Sequence, residues 1–412
     1  MTKAARKVDQ TKYLILLGDG MADYPIPKLR GQTVLECAHT PNMDFIAQHG
    51  ILGQAQTTPE SLPPGSDVAN LSILGYDPRL YYTGRAPFEA ASIGVDLAPS
   101  DVAFRCNFVT LEDGRMKDFS AGHISTEEAR PLIQELDAHL GSAEFQFFCG
   151  TSYRHLLVYR NGRDQMLCTP PHDISGQPIA PHLPRGEGAE QLLDLMSRSQ
   201  SLLKDHPINR QRAAAGRLPV TSIWLWGQGR RPQLPSFQEK YGISGAIISA
   251  VDLLKGIGRT LSLEVIEVPG ATGYLDTNYV GKADYALCAL QDHDFVYVHV
   301  EAPDEAGHNG DLKAKIQAVE DFDRLVVGTI LDKISQFSSF RIMTLPDHLT
   351  PVSVRTHTRE PVPVAIFPSN GQGEADKVTK RKRKFNEHDA RSSGIFFPEG
   401  HKLMEFFLQR SE

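Results

Sequence analysis

Carboxylates and imidazoles that could bind metal ions stand in this sequence where apolar, strand-like runs end. Asp19 follows the run 13–17 in a Gly-Asp-Gly turn. Asp347 and His348 follow the run 340–345. In an open α/β sheet, ligands bind in the crevice at the carboxyl ends of the strands. Because Asp and His are common ligands of divalent ions, this placement indicates a metal site.

A second set of residues has the same placement. Asp304 and His308 follow the run 295–300 and stand four residues apart, so a helical turn would put both side chains on one face. His357 lies further along and would have to come from another loop to complete the set. Singly, each of these residues is more often a surface carboxylate or a structural histidine than a metal ligand. Their joint occurrence at strand ends predicts a two-metal centre for hydrolysis or phosphoryl transfer.

The candidate nucleophile is a serine in a constrained turn. Ser66 follows Pro63-Pro64-Gly65 and begins a segment, 66–71, that is typical of a helix start. A serine at such a position can simply cap the helix. Beside a divalent cation, however, a hydroxyl loses its proton readily and needs no histidine base. The two roles are compatible, because a helix amino terminus also favours an incoming phosphoryl group.

Basic and titratable residues elsewhere could hold an anionic substrate. In chain order, the candidates are Arg85, Arg105, His123, Arg154, His172, Asp173, Arg212 and Lys240. For any one of the arginines and lysines, a surface charge or a salt bridge is at least as common a role. The sequence therefore supplies a set of candidates from which an anion site could be built.

Composition narrows the class of protein. The chain has 412 residues, of which 41% are hydrophobic and 23% charged, which is typical of a globular protein with sizeable cores. Length alone suggests roughly two or three domains. The net charge of −7 provides no overall basic field for nucleic acid or an anionic membrane. Five widely spaced cysteines, without a Cys-x-x-Cys pair, indicate neither a disulfide framework nor a zinc ribbon.

The chain also lacks the usual signals for membranes and secretion. No run approaches the roughly 18 apolar residues that a spanning helix needs. The first dozen residues are polar and contain no apolar core of the kind found in signal peptides. These features predict a cytoplasmic protein and leave its oligomeric state open.

Apolar runs that alternate with helical segments predict an open, mainly parallel α/β sheet flanked by helices. The runs are 13–17, 222–226, 246–248, 263–266, 295–300, 340–345 and 362–367. Helices are predicted at 41–49, between Thr40 and Gly50, and after Asp311, where apolar residues recur with the helical period.

From about residue 106 to 217 the pattern changes. The runs 145–148 and 155–159 predict a hairpin with a longer loop, and 190–203 predicts an amphipathic helix. Because the metal motifs lie on both sides of this block, we predict a discontinuous catalytic domain, residues 1–105 and 218–412. The block 106–217 would be a smaller α+β domain inserted as a cap.

The motifs resemble those of the alkaline phosphatase superfamily and, more narrowly, those of the archaeal-type cofactor-independent phosphoglycerate mutases. The matching phrases span most of the chain. They are 16–23, 38–44, 64–69, 74–78, 270–274, 304–308, 347–348 and 356–358. The resemblance implies an alkaline-phosphatase-like fold and a phosphorylated small-molecule substrate.

The resemblance also implies a cofactor and a chemistry. Two divalent ions are expected, usually manganese, with zinc, cobalt or magnesium as alternatives, and no bisphosphoglycerate takes part. One ion would be bound by Asp304, His308 and His357, and the other by Asp19, Asp347, His348 and Ser66. Ser66 would take the phosphoryl group of 3-phosphoglycerate and return it to the 2-hydroxyl of glycerate while the cap excludes water.

Roles for the remaining candidates follow from the same resemblance. Lys240 resembles the family lysine that touches the phosphoryl group. Asp173 is the first choice for the base acting on the glycerate hydroxyl, with His123 as its rival. Binding of the substrate would fall to Arg85, His123, Arg154, His172 and Arg212.

Two departures from the family pattern leave an alternative open. Asn70 stands where a histidine is usual, and 118–123 stands where an Arg-rich phrase is usual. Both resemble a bacterial branch of the family that is suspected to phosphorylate homoserine, so a homoserine-kinase-like phosphotransferase is the alternative to the mutase. A phosphatase or phosphodiesterase fits less well, because a large cap would exclude water. A non-catalytic binding protein fits poorly, because every expected metal ligand is present.

Overall fold

The computed structural model of this chain describes residues 11–368 and 383–408. The chain divides into two compact units. The first unit contains the residues up to Tyr82 and those from Leu234 onward, and the second unit is the continuous segment Thr83–Gln233. The prediction that no signal peptide is present concerns residues 1–12, of which all but the last two lie outside the described range.

The strands of the two units are numbered together in chain order. They are β1 (Lys12–Gly18), β2 (Ile51–Ala55), β3 (Val102–Glu112), β4 (Arg115–Asp118), β5 (Phe145–Thr151), β6 (Arg154–Tyr159), β7 (Ser222–Arg230), β8 (Gly245–Ile248), β9 (Glu264–Ile266), β10 (Phe295–Val300), β11 (Phe340–Leu345), β12 (Val362–Pro368) and β13 (Phe396–Phe397).

The α-helices are numbered in the same way. They are α1 (Val34–Cys37), α2 (Pro41–His49), α3 (Ser66–Ile73), α4 (Pro78–Tyr81), α5 (Ala86–Ser92), α6 (Thr126–Leu140), α7 (Ala189–Leu203), α8 (Pro207–Ala214), α9 (Phe237–Tyr241), α10 (Asp252–Thr260), α11 (Tyr279–Asp292), α12 (Ala302–Asn309), α13 (Leu312–Asp321), α14 (Gly328–Lys333), α15 (Glu387–Ser392) and α16 (Leu403–Leu408). A π-helical turn, Phe322–Val327, joins α13 to α14.

The first unit is built on an eight-stranded sheet with the order β13-β2-β12-β11-β1-β10-β8-β9. Strand β1 lies between β10 and β11 and pairs with both in parallel. Among the described strands of this sheet, β12 alone runs against its neighbours β11 and β2. The predicted open, mainly parallel α/β sheet is therefore confirmed.

The central strands of this sheet are apolar along almost their whole length. Every residue of β10 is buried, and so is every residue of β1 after Lys12. Parallel strands that are covered on both faces give continuous apolar runs in the sequence. Carboxylates come just beyond them, since Asp19 follows β1 and Asp347 follows β11. The sheet thus presents these side chains at one edge.

The second unit has its own antiparallel sheet. Strand β3 pairs with β4, β6 and β7, and β5 pairs with β6. Helices α6 and α7 bury their apolar faces in the same core as Phe104, Leu157 and Trp224. The predicted hairpin is present, but Thr151 already pairs with Arg154, so its turn is short and the longer loop is wrong.

The borders of the second unit differ from the predicted borders at 106 and 217. Strand β3 begins at Val102 and continues through the predicted border without a break. Strand β7 pairs with β3 and is not part of the first unit's sheet, although its apolar run predicts a place there. An apolar run shows that a strand is buried, but it does not show in which sheet the strand lies. The second unit therefore covers residues 83–233.

The predicted helices of the first unit form where expected. Helix α2 begins at Pro41, after Thr40, and ends at His49, before Gly50. The side chain of Asp311 accepts a hydrogen bond from the backbone N–H of Ala314 and so caps α13. No helix among the described residues is long and apolar enough to cross a membrane.

Candidate active site

The first unit gathers carboxylates and imidazoles at the carboxyl ends of its central strands. Asp19 follows β1, Asp304 lies in the first turn of α12 after β10, and Asp347 follows β11. Their exposed fractions are 0%, 3% and 0%, so all three carboxylates are removed from water. Burial of several carboxylates together is unfavourable unless cations compensate for their charge.

The first predicted ligand set is brought together. Nε2 of His308 lies 3.2 Å from Oδ2 of Asp304 and 2.9 Å from Nε2 of His357. Nε2 of His357 lies 3.6 Å from Oδ1 of Asp304. Nδ1 of His308 is 3.0 Å from the carbonyl oxygen of Arg355, which fixes the ring and directs Nε2 toward the cluster. A histidine oriented in this way is ready to ligate a metal.

The second predicted set also converges. Nε2 of His348 lies 3.6 Å from Oδ1 of Asp19 and 3.4 Å from Oδ2 of Asp347. The Oγ atom of Ser66 lies 3.1 Å from the same nitrogen. One ligand atom from each of Asp19, Asp347 and His348 lies within 4.8 Å of the others, which is compatible with a shared cation.

The two sets adjoin each other through His348. Its ring centroid is 4.0 Å from that of His357. Ligand atoms of Asp304, His348 and His357 also lie within 4.8 Å of one another. The two sets therefore form one continuous cluster, with His348 between them.

Ser66 is the first residue of α3 and does not cap it. Gly65 is the N-cap residue, with φ of 176°, and no side chain makes a capping hydrogen bond there. The hydroxyl of Ser66 is instead directed at His348. The alternative interpretation of Ser66 as a helix cap is therefore wrong, and its hydroxyl is not occupied by a capping hydrogen bond.

The electrostatics of the centre fit divalent cations. Burial raises the pKa of Asp19 well above its usual range, and the carboxylates of Asp347 and Asp304 raise it further. Burial and then Asp304 raise the pKa of Glu301 to about 8. Oδ1 of Asp19 and Oε2 of Glu301 are buried without a hydrogen-bond donor. Positive ions would supply the missing partners and restore ionised carboxylates.

The pKa values of the imidazoles also favour binding of divalent cations. Burial, and then the charge of His357, lowers the pKa of His348 well below its usual range. A neutral imidazole has a free lone pair, which is the form that binds metals. Burial would raise the pKa of Asp304, but His357 and His308 outweigh it and hold that pKa well below its usual range.

Gly20 lets the turn after β1 approach the centre. Its φ is +58°, and a Cβ atom there would meet Oγ1 of Thr350 at 2.5 Å and Oδ1 of Asp304 at 2.6 Å. The N–H of Gly20 donates to Oδ1 of Asp347 at 3.2 Å. The glycine is thus required both for its left-handed backbone and for the space beside two site residues.

Sequence reasoning missed several polar residues that surround the centre. Nε2 of His299 lies 2.9 Å from Oδ2 of Asp19, and its Nδ1 lies 3.1 Å from Oγ of Ser249. Burial lowers the pKa of His299 to about 3. With Asp19 and Glu301 it forms a third group of ligand atoms within 4.8 Å. The signal in the sequence was a histidine inside an otherwise apolar strand.

The second unit places three of the predicted cations around one acid. Oε2 of Glu89 accepts from Nε of Arg105 at 2.9 Å, and Oε1 accepts from Nε of Arg85 at 3.2 Å. Although burial raises the pKa of Glu89, the charges of Arg105, Arg85 and Arg154 lower it overall. Nε of Arg154 is buried without a hydrogen-bond partner. One carboxylate among these guanidinium groups leaves an excess of positive charge.

Aromatic and imidazole side chains of the second unit pack against one another. The ring of His123 packs against Tyr153 with centroids 6.0 Å apart, and the ring of His172 packs against Trp226 at 5.1 Å. The guanidinium carbon of Arg105 lies 4.2 Å from the centroid of a Trp226 ring. Asp173 is exposed, and its Oδ1 is 3.7 Å from Nε2 of His172. His123, His172 and Asp173 are thus all accessible polar groups.

Two predicted roles do not fit the structure. Arg212 is 1% exposed and donates to Glu128, Ala121 and Leu218. Its guanidinium group is enclosed and holds α8 to neighbouring segments, so the structure does not support the predicted contact with a substrate.

Lys240 is the second residue whose predicted role does not fit the structure. Its ammonium group donates to the carbonyl oxygen of Gly75 and lies 4.6 Å from the ring centroid of Tyr76. Gly75 follows the carboxyl end of α3, whereas Ser66 is at the amino end, about 10 Å away at the helical rise per residue. The predicted contact between Lys240 and a phosphoryl group on Ser66 is therefore not supported.

A mainly parallel α/β sheet that gathers acids, imidazoles and a helix-terminal serine at its carboxyl edge is typical of metal-dependent phosphoryl-transfer enzymes. Residues 47–209 match a family model described as 2,3-bisphosphoglycerate-independent phosphoglycerate mutase. The chain belongs to this family, whose members are isomerases.

Similarity extends over almost the entire chain. A relative from Methanosarcina barkeri, a 2,3-bisphosphoglycerate-independent phosphoglycerate mutase, is 57% identical over 86% of this chain and 90% of its own. A relative from Geobacter sulfurreducens with the name "Probable 2,3-bisphosphoglycerate-independent phosphoglycerate mutase" is 54% identical over 97% of this chain and 100% of its own. A Pyrococcus horikoshii protein of known structure is 32% identical, with a TM-score of 0.81 and 97% coverage of both chains. These names do not favour the kinase alternative.

Proposed function

We propose that this enzyme interconverts 3-phosphoglycerate and 2-phosphoglycerate, without 2,3-bisphosphoglycerate, through a phosphorylated Ser66. The observation that carries the proposal is the position of the Ser66 hydroxyl at the amino end of α3, 3.1 Å from Nε2 of His348 and beside the cluster of acids. The names of the relatives from Methanosarcina barkeri and Geobacter sulfurreducens support this substrate pair.

The residues of the first unit would hold two divalent ions. We assign Asp304, His308 and His357 to one ion, and Asp19, Asp347, His348 and Ser66 to the other. Manganese is the proposed metal, with zinc, cobalt and magnesium as alternatives, because carboxylate and imidazole ligands suit all of them to differing degrees. When bound, the ions supply positive charge that stabilises the developing charge of the transferring phosphoryl group and lowers the pKa of the serine hydroxyl.

The reaction then consists of two transfers. In the first, the Ser66 oxygen forms a bond to phosphorus while the bond from phosphorus to the substrate oxygen breaks, which gives phosphoserine and glycerate. In the second, the neighbouring hydroxyl of glycerate attacks the phosphoserine and Ser66 is regenerated. The proton that Ser66 loses is recovered when its oxygen leaves, so the cycle consumes nothing. The amino end of α3 favours the anionic phosphoryl group throughout.

The second unit would recognise the glycerate portion. We assign contact with its anionic groups to Arg85, Arg154, His123 and His172, which are polar groups near an excess of positive charge. Asp173 is proposed as the base for the glycerate hydroxyl, with His123 as the alternative. Although Asp173 is exposed, partial desolvation of its carboxyl group raises its pKa, which brings it closer to the range of a working base.

The first test is direct. Manganese-loaded protein is incubated with 3-phosphoglycerate, without nucleotide or bisphosphoglycerate, and formation of 2-phosphoglycerate is followed with enolase. We expect conversion that is abolished by EDTA and restored by Mn²⁺. Absence of conversion by protein that demonstrably holds two metal ions would refute the proposed function.

A further inference from the structure

We infer that Asn70 is a positioning residue that ties the nucleophile helix to the metal ligand Asp347, and that Tyr297 holds the Asn70 side chain in the required orientation. The inference rests on the proposed function in one respect, namely that Asp347 ligates a metal and Ser66 is the nucleophile. It concerns residues for which the sequence suggested at most a difference in substrate.

The Asn70 amide bridges two elements of the site. Its Nδ2 atom donates to the backbone carbonyl of Ser66 at 2.8 Å and to Oδ2 of Asp347 at 2.9 Å. Asn70 lies on α3, one turn after Ser66, and Asp347 lies beyond β11. A single side chain thus fixes the distance between the first turn of the nucleophile helix and a carboxylate of the metal centre.

Hydrogen-bond chemistry allows only one orientation of this amide. The Ser66 carbonyl and the Asp347 carboxylate are both acceptors, so the NH₂ group must face them. The Oδ1 atom then faces the opposite way, where the phenol of Tyr297 donates to it. If the amide rotated by half a turn, its oxygen would face two acceptors. The two acceptors therefore fix the orientation of the amide, and the hydrogen bond from Tyr297 to Oδ1 supports it.

The bridge is enclosed by protein. Asn70 and Tyr297 are both 0% exposed, as is Asp347. Buried polar groups are costly unless paired, and each polar atom of the Asn70 side chain has a partner here. The other oxygen of Asp347, Oδ1, accepts from the backbone N–H groups of Gly20 and His348 at 3.2 and 3.0 Å. Asn70 is thus the side-chain contact that orients Oδ2, the oxygen 3.4 Å from His348.

Hydrogen bonds that orient a metal ligand strengthen metal binding. Loss of such an outer contact commonly weakens metal binding by about 10- to 100-fold. A purely structural residue would instead lower thermal stability and leave the affinity of the folded protein unchanged. Metal affinity at a temperature where every variant is folded therefore separates the two roles.

The variants are Asn70→Leu, Tyr297→Phe and the double variant, with Tyr13→Phe as a matched control. Tyr13 is a buried tyrosine on the neighbouring strand β1, and its hydroxyl donates to the carbonyl of Leu408. It stands six residues before Asp19, about 20 Å away along a strand. Apo protein is titrated with Mn²⁺, and free ion is measured by electron paramagnetic resonance.

We expect Asn70→Leu to weaken one of two Mn²⁺ equivalents by about 10- to 100-fold and to leave the other nearly unchanged. Tyr297→Phe should weaken the same equivalent less, and it should add nothing in the Asn70→Leu background, because its effect acts through the amide. Tyr13→Phe should bind both ions as the wild type does. If Asn70→Leu does not fold, the Mn²⁺ affinities of Tyr297→Phe and Tyr13→Phe are compared instead. Weaker binding by Tyr297→Phe alone would support the inference.

Unchanged Mn²⁺ affinity in Asn70→Leu and Tyr297→Phe would overturn the inference, and so would independent, additive effects of the two substitutions. The titration needs no turnover. Wild-type protein that binds two ions but does not convert 3-phosphoglycerate would therefore refute the proposed function while leaving this test intact.

Discussion

The Oγ atom of Ser66 lies 3.1 Å from Nε2 of His348, although the two residues are 282 positions apart in the chain. Ser66 begins α3, and His348 lies just beyond β11. Their contact joins a helix amino terminus to a group of strand-end ligands. The hydroxyl thus lies between the amino end of α3 and the cluster of acids and imidazoles that we propose as the metal site.

Removal of that hydroxyl should abolish turnover. We expect Ser66→Ala to lower kcat in the enolase-coupled assay by at least about 10³-fold, because the proposed mechanism passes the phosphoryl group through the Ser66 oxygen. Thermal stability and most Mn²⁺ binding should remain. Ser72→Ala, on the same helix, serves as a control for the loss of a buried serine hydroxyl. Activity of Ser66→Ala near that of the control would show that Ser66 is not the nucleophile.

Metal removal should destabilise the folded protein. Without cations, the buried carboxylates of Asp19, Asp304 and Asp347 repel one another, and Oδ1 of Asp19 lacks a partner. Mn²⁺ at 100 times its Kd should stabilise the folded state by about 2.7 kcal/mol per site. Differential scanning calorimetry of EDTA-treated protein with and without added Mn²⁺ measures the shift in Tm. A Tm that does not respond to Mn²⁺ would contradict the assignment of these residues as ligands.

Two glycines with positive φ allow the effect of strain to be separated from the effect of space. Gly20 has φ of +58° and close neighbours in the site, whereas Gly31 has φ of +82° and nothing within 4 Å of the point that a Cβ atom would occupy. Both alanine variants should lose about 1–2 kcal/mol from the left-handed backbone.

Gly20→Ala should lose additional stability and, in contrast to Gly31→Ala, should bind Mn²⁺ more weakly, because its methyl group displaces Asp304 or Thr350. Urea unfolding and a Mn²⁺ titration measure the two quantities. Equal behaviour of the two variants in both measurements would show that the turn after β1 tolerates a side chain.

Two arginines of the second unit should respond differently to substitution. We expect Arg154→Ala to lower kcat/KM by about 10- to 100-fold through loss of a charge-assisted contact with substrate, with little effect on Tm. Arg212→Ala removes a buried guanidinium group that donates to Glu128, Ala121 and Leu218, and should cost about 1–3 kcal/mol of stability instead. Arg198→Ala, at an exposed ion pair, is the control. An Arg154→Ala variant with wild-type kinetics would remove Arg154 from the substrate-binding set.

A buried histidine of the second unit should make stability depend on pH. Burial lowers the pKa of His155 to about 3, against about 6.5 in an unfolded chain. Below pH 6.5 the unfolded state binds one more proton than the folded state, so stability falls as pH falls and continues to fall until about pH 3.

The contribution of His155 to this loss should reach about 1.4 kcal/mol at pH 5.5. His155→Gln should reduce the difference in unfolding free energy between pH 7.5 and pH 5.5 by this amount, whereas His139→Gln, at an exposed position, should not. Urea unfolding at the two pH values provides the measurement. The same pH dependence in both variants would exclude this role.

The sheet and the metal centre could be predicted from the sequence because both leave a local signal. Buried parallel strands such as β1 and β10 appear as continuous apolar runs, and Asp19 and Asp304 follow shortly after them. The strand ends of one sheet meet at one edge, so the side chains had to converge there. The positions of Asp19 and Asp304 were thus implied by the pattern of the runs.

Features that depend on long-range pairing could not be predicted in this way. The run that forms β7 is apolar like the strands of the first sheet, yet it pairs with β3 in the second. Arg212 and Lys240 are cations whose partners, Glu128 and the carbonyl of Gly75, are not evident from sequence. A charged side chain shows its role only when its partner is known.

The position of β1 in the sheet has a consequence for how the protein is made. This strand is synthesised first, but both of its neighbours, β10 and β11, follow some 280 residues later or more. A nascent chain therefore cannot complete the centre of the sheet, or bring Asp19 to His348, until β11 and the residues just beyond it have left the ribosome. The second unit, a continuous segment, can fold well before that moment. Because the proposed ligands come from both β1 and β11, a metal site that needs both could form only after β11 has been made.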